Sequence, residues 1–126
     1  MANYGFNDTS EVKYDVLGFP LGKYKVFAKN ESDAPTGIVV EYDILDGEHK
    51  GTTAKVYYNT LSDNATTAKI AQIDLKRIAD ATGRSVNAAS PIKGRTFIVD
   101  VVPQKSNPQY TNVKAYLPAD KVDQPF

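Results

Sequence analysis

The sequence has no cysteine and no tryptophan, and it has a single histidine among its 126 residues. Without cysteine the chain forms no disulfide, and it has no thiolate to act as a nucleophile or a metal ligand. One histidine leaves almost no soft ligand for a zinc or iron site, so we expect neither a metal nor a cofactor. No run approaches the ~20 apolar residues of a membrane span. The N-terminal residues lack the basic and apolar regions of a signal peptide. We therefore expect a soluble, cytoplasmic protein that does not associate with membranes.

Chemical motifs of enzymes are also scarce. No nucleophile, base and orienting group can be assembled from the sequence, and no glycine-rich loop has the spacing of a phosphate-binding motif. The lone histidine, His49, stands between an acid and a lysine, where an ordinary loop role is the simplest interpretation. We expect a protein that is not an enzyme.

The charges balance overall, with 15 basic and 15 acidic residues, but they are distributed unevenly. Residues 1–48 carry a net charge of −5, residues 49–114 carry +6, and residues 115–126 carry −1. Such asymmetry hints at a polyanionic partner for the basic part. Acidic and basic strands that neutralise each other across one sheet would give the same pattern, and charge alone favours this second interpretation.

Alternation of apolar and polar residues predicts five β-strands. They cover residues 23–29, 38–45, 52–59, 95–102 and 110–117, with loops at 30–37 and 103–109. The apolar run 97–99 predicts burial on both faces of its strand.

The period changes to that of an amphipathic helix between the third and fourth strands. Ser62, Asp63 or Asn64 can cap its start, and Gly83 suits a left-handed C-terminal position. Its predicted apolar face consists of Ile70, Ala71, Leu75, Ile78, Ala81 and Thr82, flanked by Ile73. Asp74 falls inside this apolar sector, against the pattern.

Three strands, a helix and two strands are the order of the OB-fold, a five-stranded Greek-key barrel with one helix between strands 3 and 4. We therefore predict a mainly β protein of this class, although other small α+β folds share the order. The predicted organisation is an N-terminal arm at 1–21, the OB-fold domain at 22–118 and a short acidic tail at 119–126.

Basic and aromatic side chains alternate along three of the predicted strands. Single-stranded DNA needs cations along its phosphates and flat side chains for its bases, and this mixture supplies both. The candidate DNA-binding residues are Lys25, Phe27, Lys50, Lys55, Tyr57, Lys93, Arg95, Tyr110, Asn112, Lys114 and Tyr116. Alternatively, Phe27 fills a second small core, the tyrosines are strand residues with a wet hydroxyl, and the lysines are solvated surface.

The chain ends on an acidic, Phe-terminated segment. Asp123, Pro125 and Phe126 combine carboxylates with an apolar side chain, which suits a basic-rimmed pocket on a partner protein. A frayed tail with no binding role is the alternative.

Four segments carry a family resemblance: 19–26 (FPLGKYKV), 42–51 (YDILDGEHKG), 78–83 (IADATG) and 112–118 (NVKAYLP). Through them the sequence resembles, from about residue 19 to residue 118, a family of small bacteriophage proteins catalogued as a domain of unknown function. These are regarded as OB-fold single-stranded DNA-binding proteins and are encoded among phage replication and recombination genes. Within the four segments only Lys50, Lys114 and Tyr116 have chemistry suited to DNA. The tail is similar to the tips by which single-strand binders recruit replication enzymes.

Residues and resemblance together lead to one expectation. It is a sequence-independent single-stranded DNA-binding protein of phage DNA replication or recombination, located in the host cytoplasm. Its expected partners are single-stranded DNA and, through the tail, replication or recombination proteins, and a homo-oligomer is compatible with the sequence. The alternative is a protein-interaction or structural β-module without nucleic-acid affinity. A glycan-binding module would also use exposed aromatics.

Overall fold

A computed structural model describes residues 15–87, 89–106 and 109–119. Its elements are β1 (Asp15–Leu17), β2 (Gly22–Ala34), β3 (Gly37–Ile44), β4 (Thr53–Tyr58), α1 (Ala65–Thr82), β5 (Thr96–Pro103) and β6 (Thr111–Pro118). The mainly β class is confirmed, and so is the predicted helix, which is the single α-helix among the described residues and follows the first group of antiparallel strands. The predicted count of five strands was wrong, because residues 15–17 of the predicted arm form a sixth, which pairs in parallel with β4.

The strands form one sheet in the order β1-β4-β3-β2-β5-β6. β2 has 13 residues and pairs with two neighbouring strands along its length. Its first half pairs with β5 from Gly22 to Phe27, and its second half pairs with β3 from Val26 to Ala34. A strand that passes from one neighbour to the other along its length curls the sheet, and the result is a half-barrel. Among the described residues, β1 and β6 are its edges.

The hairpin between β2 and β3 is longer than the sequence predicts. Residues 30–37 read as a loop because they are rich in Asn, Ser, Asp and Pro, yet the ladder continues to the pair Ala34 and Gly37. Ser32 and Asp33 are exposed, so their polar side chains do not oppose strand pairing. An added Cβ at Gly37 would overlap the carbonyl oxygen of Tyr58, which explains why glycine stands where β3 begins.

The inner face of the curled sheet holds the core. Alternate residues of β2 and β3 are buried there, as the alternation predicts, and they include Tyr24, Val26, Ala28, Val40, Tyr42 and Ile44. The hydroxyls of Tyr42 and Tyr58 lie 2.8 Å apart and satisfy each other inside this core. The predicted burial on both faces of β5 is confirmed, since Phe97, Ile98 and Val99 are all fully buried.

The helix closes the open side of the half-barrel by packing against β4, β5 and β6. The side chain of Asn64 caps its start by accepting a hydrogen bond from the Thr67 N–H, and Gly83 ends it with a φ of 76°. Both capping predictions are confirmed. The buried stripe is narrow, however, because it consists mainly of Ala71, Ile78 and Ala81. Ile70, predicted on the buried face, is 56% exposed, so that assignment was wrong.

Across the described residues, no helix combines the length and the apolar character that crossing a membrane requires.

Candidate nucleic-acid interface

The sheet register brings several predicted contacts to one end of the sheet. Val26 pairs with Ile44, Asp43 with Thr53, Gly22 with Val101 and Pro103 with Thr111, so the β3–β4 and β5–β6 connections leave the same end. We call this the hairpin end, formed by residues 45–52, 104–106 and 109–110. It carries four exposed candidates at or next to these connections, namely Lys50, Tyr110, Asn112 and Lys114. Tyr110 is 57% exposed.

Other candidates lie toward the opposite end. Tyr57 pairs with Val39 near the β2–β3 turn, and it is 45% exposed. Lys93 is exposed just before β5, where the backbone N–H groups of Ile92 and Lys93 donate to the Glu31 carboxylate. The structure therefore does not place these two side chains with those of the hairpin end.

The remaining lysines of the strands lie on the outer face, which is the side of the sheet away from the core. Lys25, Phe27 and Lys55 are half-buried there. β3 places acids between β2 and β4, with Glu41 directly opposite Lys55. Asp43 in turn forms a 3.2 Å salt bridge with Lys29. On this face acidic and basic strands neutralise each other, which agrees with the simpler interpretation of the charge distribution.

Arg95, a predicted phosphate contact, lies in the interior with only 2% of its surface exposed. Its guanidinium makes six hydrogen bonds, to the carbonyl oxygens of Pro91, Arg84, Ser85 and Ser90 and to the hydroxyls of Thr82 and Ser90. Burial and the nearby charge of Arg84 lower its pKa, although a guanidinium remains protonated. The structure gives Arg95 an internal role, fastening the end of α1 and the following loop to β5, in place of the predicted contact.

Tyr116, a predicted stacking residue, is also occupied within the fold. Its ring packs against Phe97, with ring centroids 5.9 Å apart, and the Arg77 guanidinium lies 5.0 Å from its centroid. The pKa of its hydroxyl is raised, chiefly because burial removes water from around the group. The ring of Tyr116 therefore supports the junction of α1 and β6 and offers no free face to a base.

A β-bulge in β6 sets the position of Lys114. The ladder passes from the pair Asp100 and Ala115 to the pair Val101 and Val113, so Lys114 is the extra residue of β6. A bulge of this kind re-aims a side chain and interrupts pairing. Lys114 is exposed and, as the extra residue, has no partner in the ladder with β5.

Arg77 on α1 holds this bulge, and sequence reasoning did not identify it. Its Nη1 donates to the carbonyl oxygen of Val113 at 3.3 Å, and its Nη2 donates to that of Lys114 at 2.7 Å. Asp74, one turn earlier, lies 4.0 Å from Nη1. Burial raises the pKa of Asp74, while the charge of Arg77 and a hydrogen bond with Tyr116 oppose that rise. The signal that could have revealed this cluster is the acid inside the apolar helix face, three residues before an arginine.

A groove of about 1060 Å³ runs beside this cluster, between α1 and the β5–β6 hairpin. Six of the nine described residues that line it are polar or basic, namely Arg77, Gln104, Lys105, Ser106, Asn112 and Lys114, and the other three are apolar. No described lining residue is acidic. Within the described part of the chain, no group of three or more histidine or acidic residues is placed to hold a metal ion.

Fold and surface together define a small, mainly β half-barrel with exposed aromatics and a basic groove at one end. The chain belongs to the family described as "Protein of unknown function (DUF669)", which matches residues 6–125. No curated protein matches it. The predicted partner-binding residues Asp123, Pro125 and Phe126 lie outside the described residues.

Proposed function

We propose that this protein binds single-stranded DNA without sequence preference. The observation that carries the proposal is the hairpin end, where Lys50 and Tyr110 lie in two connections distant in sequence and Asn112 and Lys114 lie in the first half of β6, all with exposed side chains. Cations for phosphates and a flat ring for bases, within one surface, are what a single strand requires.

The connectivity of the sheet supports an OB-fold as part of the same proposal. If the short β1 is left out, the five remaining strands β2 to β6 correspond to strands 1 to 5 of an OB-fold. Their order in the sheet is then 3-2-1-4-5, which is the order in an opened OB barrel. The helix between the third and fourth of them spans the gap between β4 and β6. OB-folds bind oligonucleotides with the face of strands 2 and 3 and with the loops after strands 1 and 4. The loop after strand 4 is here the β5–β6 connection.

The proposed contact set follows from exposure. Phosphates are contacted by Lys50 and Lys114, and bases stack on Tyr110, with Tyr57 as a second stacking position toward the far end. Lys25, Phe27 and Lys55 lie on the neutralised outer face and are not among the proposed contacts. Arg95 and Tyr116 support the fold. The resemblance to phage proteins extends the proposal to a role in phage DNA replication or recombination, with recruitment of replication proteins through the tail.

One observation favours a second candidate function, a protein-interaction or structural β-module. The outer face is internally neutralised, and α1 exposes Ile70 and Ile73, whose side chains are 56% and 47% exposed. Single exposed apolar residues are common on protein surfaces. The exposed isoleucines therefore support an interaction module less strongly than the hairpin end supports DNA binding.

The test is fluorescence anisotropy of a labelled oligo-dT of about 30 nucleotides, longer than the ~4–16 nucleotides that one OB-fold occupies. The titration is made at about 50 and about 200 mM salt, because released counterions weaken phosphate binding as salt rises. A duplex of the same length and a labelled neutral oligosaccharide are the controls. We expect salt-sensitive binding of the single strand alone. Absence of binding at the lower salt would overturn the proposal and favour the interaction module.

A further inference from the structure

The groove between α1 and the β5–β6 hairpin differs from the outer face in its charge balance. On the outer face, lysines of β2 and β4 lie beside the acids of β3. The groove has three cations in its lining, Arg77, Lys105 and Lys114, and no acid among its described lining residues. Asp74 lies 4.0 Å from the Nη1 of Arg77 and does not line the groove. The local potential in the groove is therefore positive although the whole chain has a net charge of zero.

The groove wall is organised before any ligand arrives. Two hydrogen bonds from Arg77 fix the carbonyl oxygens of Val113 and Lys114, and they hold the bulge at which the exposed Lys114 lies. On the facing strand the N–H of Gln104 donates to the carbonyl oxygen of Tyr110 at 2.9 Å, which closes the hairpin next to Lys105. A preorganised wall reduces the entropy lost when a ligand orders its contacts.

The size and the lining of the groove together point to an extended anionic ligand. The volume of about 1060 Å³ lies just above the ~300–1,000 Å³ typical of small-molecule pockets. The described lining residues include no aromatic one. Gln104, Ser106 and Asn112 offer amide and hydroxyl groups and the lysines offer ammonium groups, beside the apolar side chains of Val102, Pro103 and Val113. These polar and charged groups can hydrogen-bond to phosphodiester oxygens and neutralise their charge. Tyr110 is exposed on the same hairpin, and its carbonyl oxygen accepts the hydrogen bond from Gln104, a residue of the groove lining.

We propose that this groove binds the phosphodiester backbone of single-stranded DNA, with Lys105 and Lys114 as its two phosphate contacts. The inference rests on the proposed function and adds to it a defined path, with a contact, Lys105, that the sequence pattern did not suggest. The backbone passes between α1 and the hairpin, and the neutralised outer face takes no part in phosphate binding.

The experiment compares two double variants that remove the same charge. Lys105→Gln/Lys114→Gln removes both groove cations, and Lys69→Gln/Lys76→Gln removes two exposed lysines from α1 outside the groove. Affinity for oligo-dT is measured at several salt concentrations, and the slope of log K against log salt is extracted. Because each phosphate contact on a single strand contributes about 0.7 to this slope, the groove variant should lose about 1.4 in magnitude. The control should keep the wild-type slope. Thermal unfolding of both variants verifies that each is folded at the assay temperature.

The outcomes separate the two proposals. Wild-type protein that fails to bind oligo-dT overturns the proposed function itself. Wild-type binding with equal slopes for the two double variants overturns the groove alone and leaves the function standing. A larger loss of slope in the Lys69→Gln/Lys76→Gln protein would place the phosphates on the outside of α1, against the inference.

Discussion

The Arg77 guanidinium donates a 2.7 Å hydrogen bond to the carbonyl oxygen of Lys114, 37 residues further along the chain. A second bond, of 3.3 Å, reaches the neighbouring carbonyl of Val113. These are carbonyls at a bulge, where the ladder with β5 is interrupted. One side chain thus fastens the helix to the edge strand and fixes the place where an exposed lysine leaves the sheet.

Replacing this guanidinium should loosen the edge of the half-barrel. Hydrogen bonds from charged donors contribute about 1.5–3 kcal/mol, and a partly exposed site belongs at the lower end of that range. Arg77→Met, which keeps an unbranched apolar chain, is therefore expected to lower the free energy of unfolding by about 1–2 kcal/mol. Chemical denaturation measures the difference, with Lys76→Met at an exposed position of the same helix as the control. Equal stability of the two variants would show that the bulge does not depend on Arg77.

Asp74 should make stability depend on pH in an identifiable direction. Burial raises its pKa in the folded state above the ordinary value of about 3.9. Ionising it is therefore harder in the folded than in the unfolded chain, so its contribution to stability declines as pH rises from the unfolded pKa through the folded one. Relative to wild type, Asp74→Asn should gain stability between about pH 3.5 and pH 7.

The measurement for Asp74 is thermal unfolding of both proteins across that range. Asp80→Asn, at an exposed position of the same helix, controls for the loss of one carboxylate. If Asp74→Asn instead lost stability relative to wild type as the pH rose toward neutral, the ion pair with Arg77 would stabilise the ionised Asp74 by more than its desolvation costs.

Arg95 gives a prediction that separates a structural role from a DNA contact. Arg95→Lys keeps the charge but cannot reproduce six hydrogen bonds around a planar fork, and it leaves several carbonyl oxygens unpaired. The expected loss of stability is about 3 kcal/mol or more, as for a disrupted buried network. Below the unfolding transition, affinity for oligo-dT should match that of wild type. A stable variant with weakened binding would instead return Arg95 to the interface.

Much of the sheet could be predicted from the alternation of apolar and polar residues, because this alternation has a single cause, the burial of one face of each strand. β2 and β3 bury one face, and every second residue, such as Val26 or Tyr42, must be apolar. The helix caps were predictable for a similar reason, since an amide side chain and a glycine meet local backbone needs at Asn64 and Gly83. These are short-range constraints that act within a few residues of sequence.

What could not be predicted depends on contacts between distant segments. Residues 15–17 are too few to show a period, and they become a strand only because β4 offers its edge. Arg95 looks like any exposed cation at the start of a strand until the loop after α1 folds over it. Arg77 bonds to two carbonyl oxygens of the β6 bulge that lie 36 and 37 positions further along the chain, and no local pattern of the sequence encodes this contact.

The buried pair of tyrosine hydroxyls offers a test of the core. Tyr42→Phe or Tyr58→Phe alone leaves one buried hydroxyl without its partner, which should lower stability by about 1–3 kcal/mol. The double variant removes both polar groups and should be nearly as stable as wild type. Denaturant unfolding of the four proteins completes a double-mutant cycle. Additive losses in the double variant would contradict the account of mutual satisfaction.

Base stacking should depend on Tyr110 more than on Tyr57. Tyr110 is the more exposed ring and lies at the hairpin end beside the cations, while Tyr57 lies toward the opposite end. Tyr110→Leu should therefore weaken oligo-dT binding by about 1–3 kcal/mol, the range for one stacked base, and Tyr57→Leu by less. Tyr110→Phe keeps the ring and should bind like wild type. The slope of log K against log salt should not change in Tyr110→Leu, because stacking releases no counterions. If Tyr110→Phe bound oligo-dT as weakly as Tyr110→Leu, the contact would be a hydrogen bond of the hydroxyl and not stacking. A changed salt slope in Tyr110→Leu would mean that Tyr110 acts by positioning the nearby lysines.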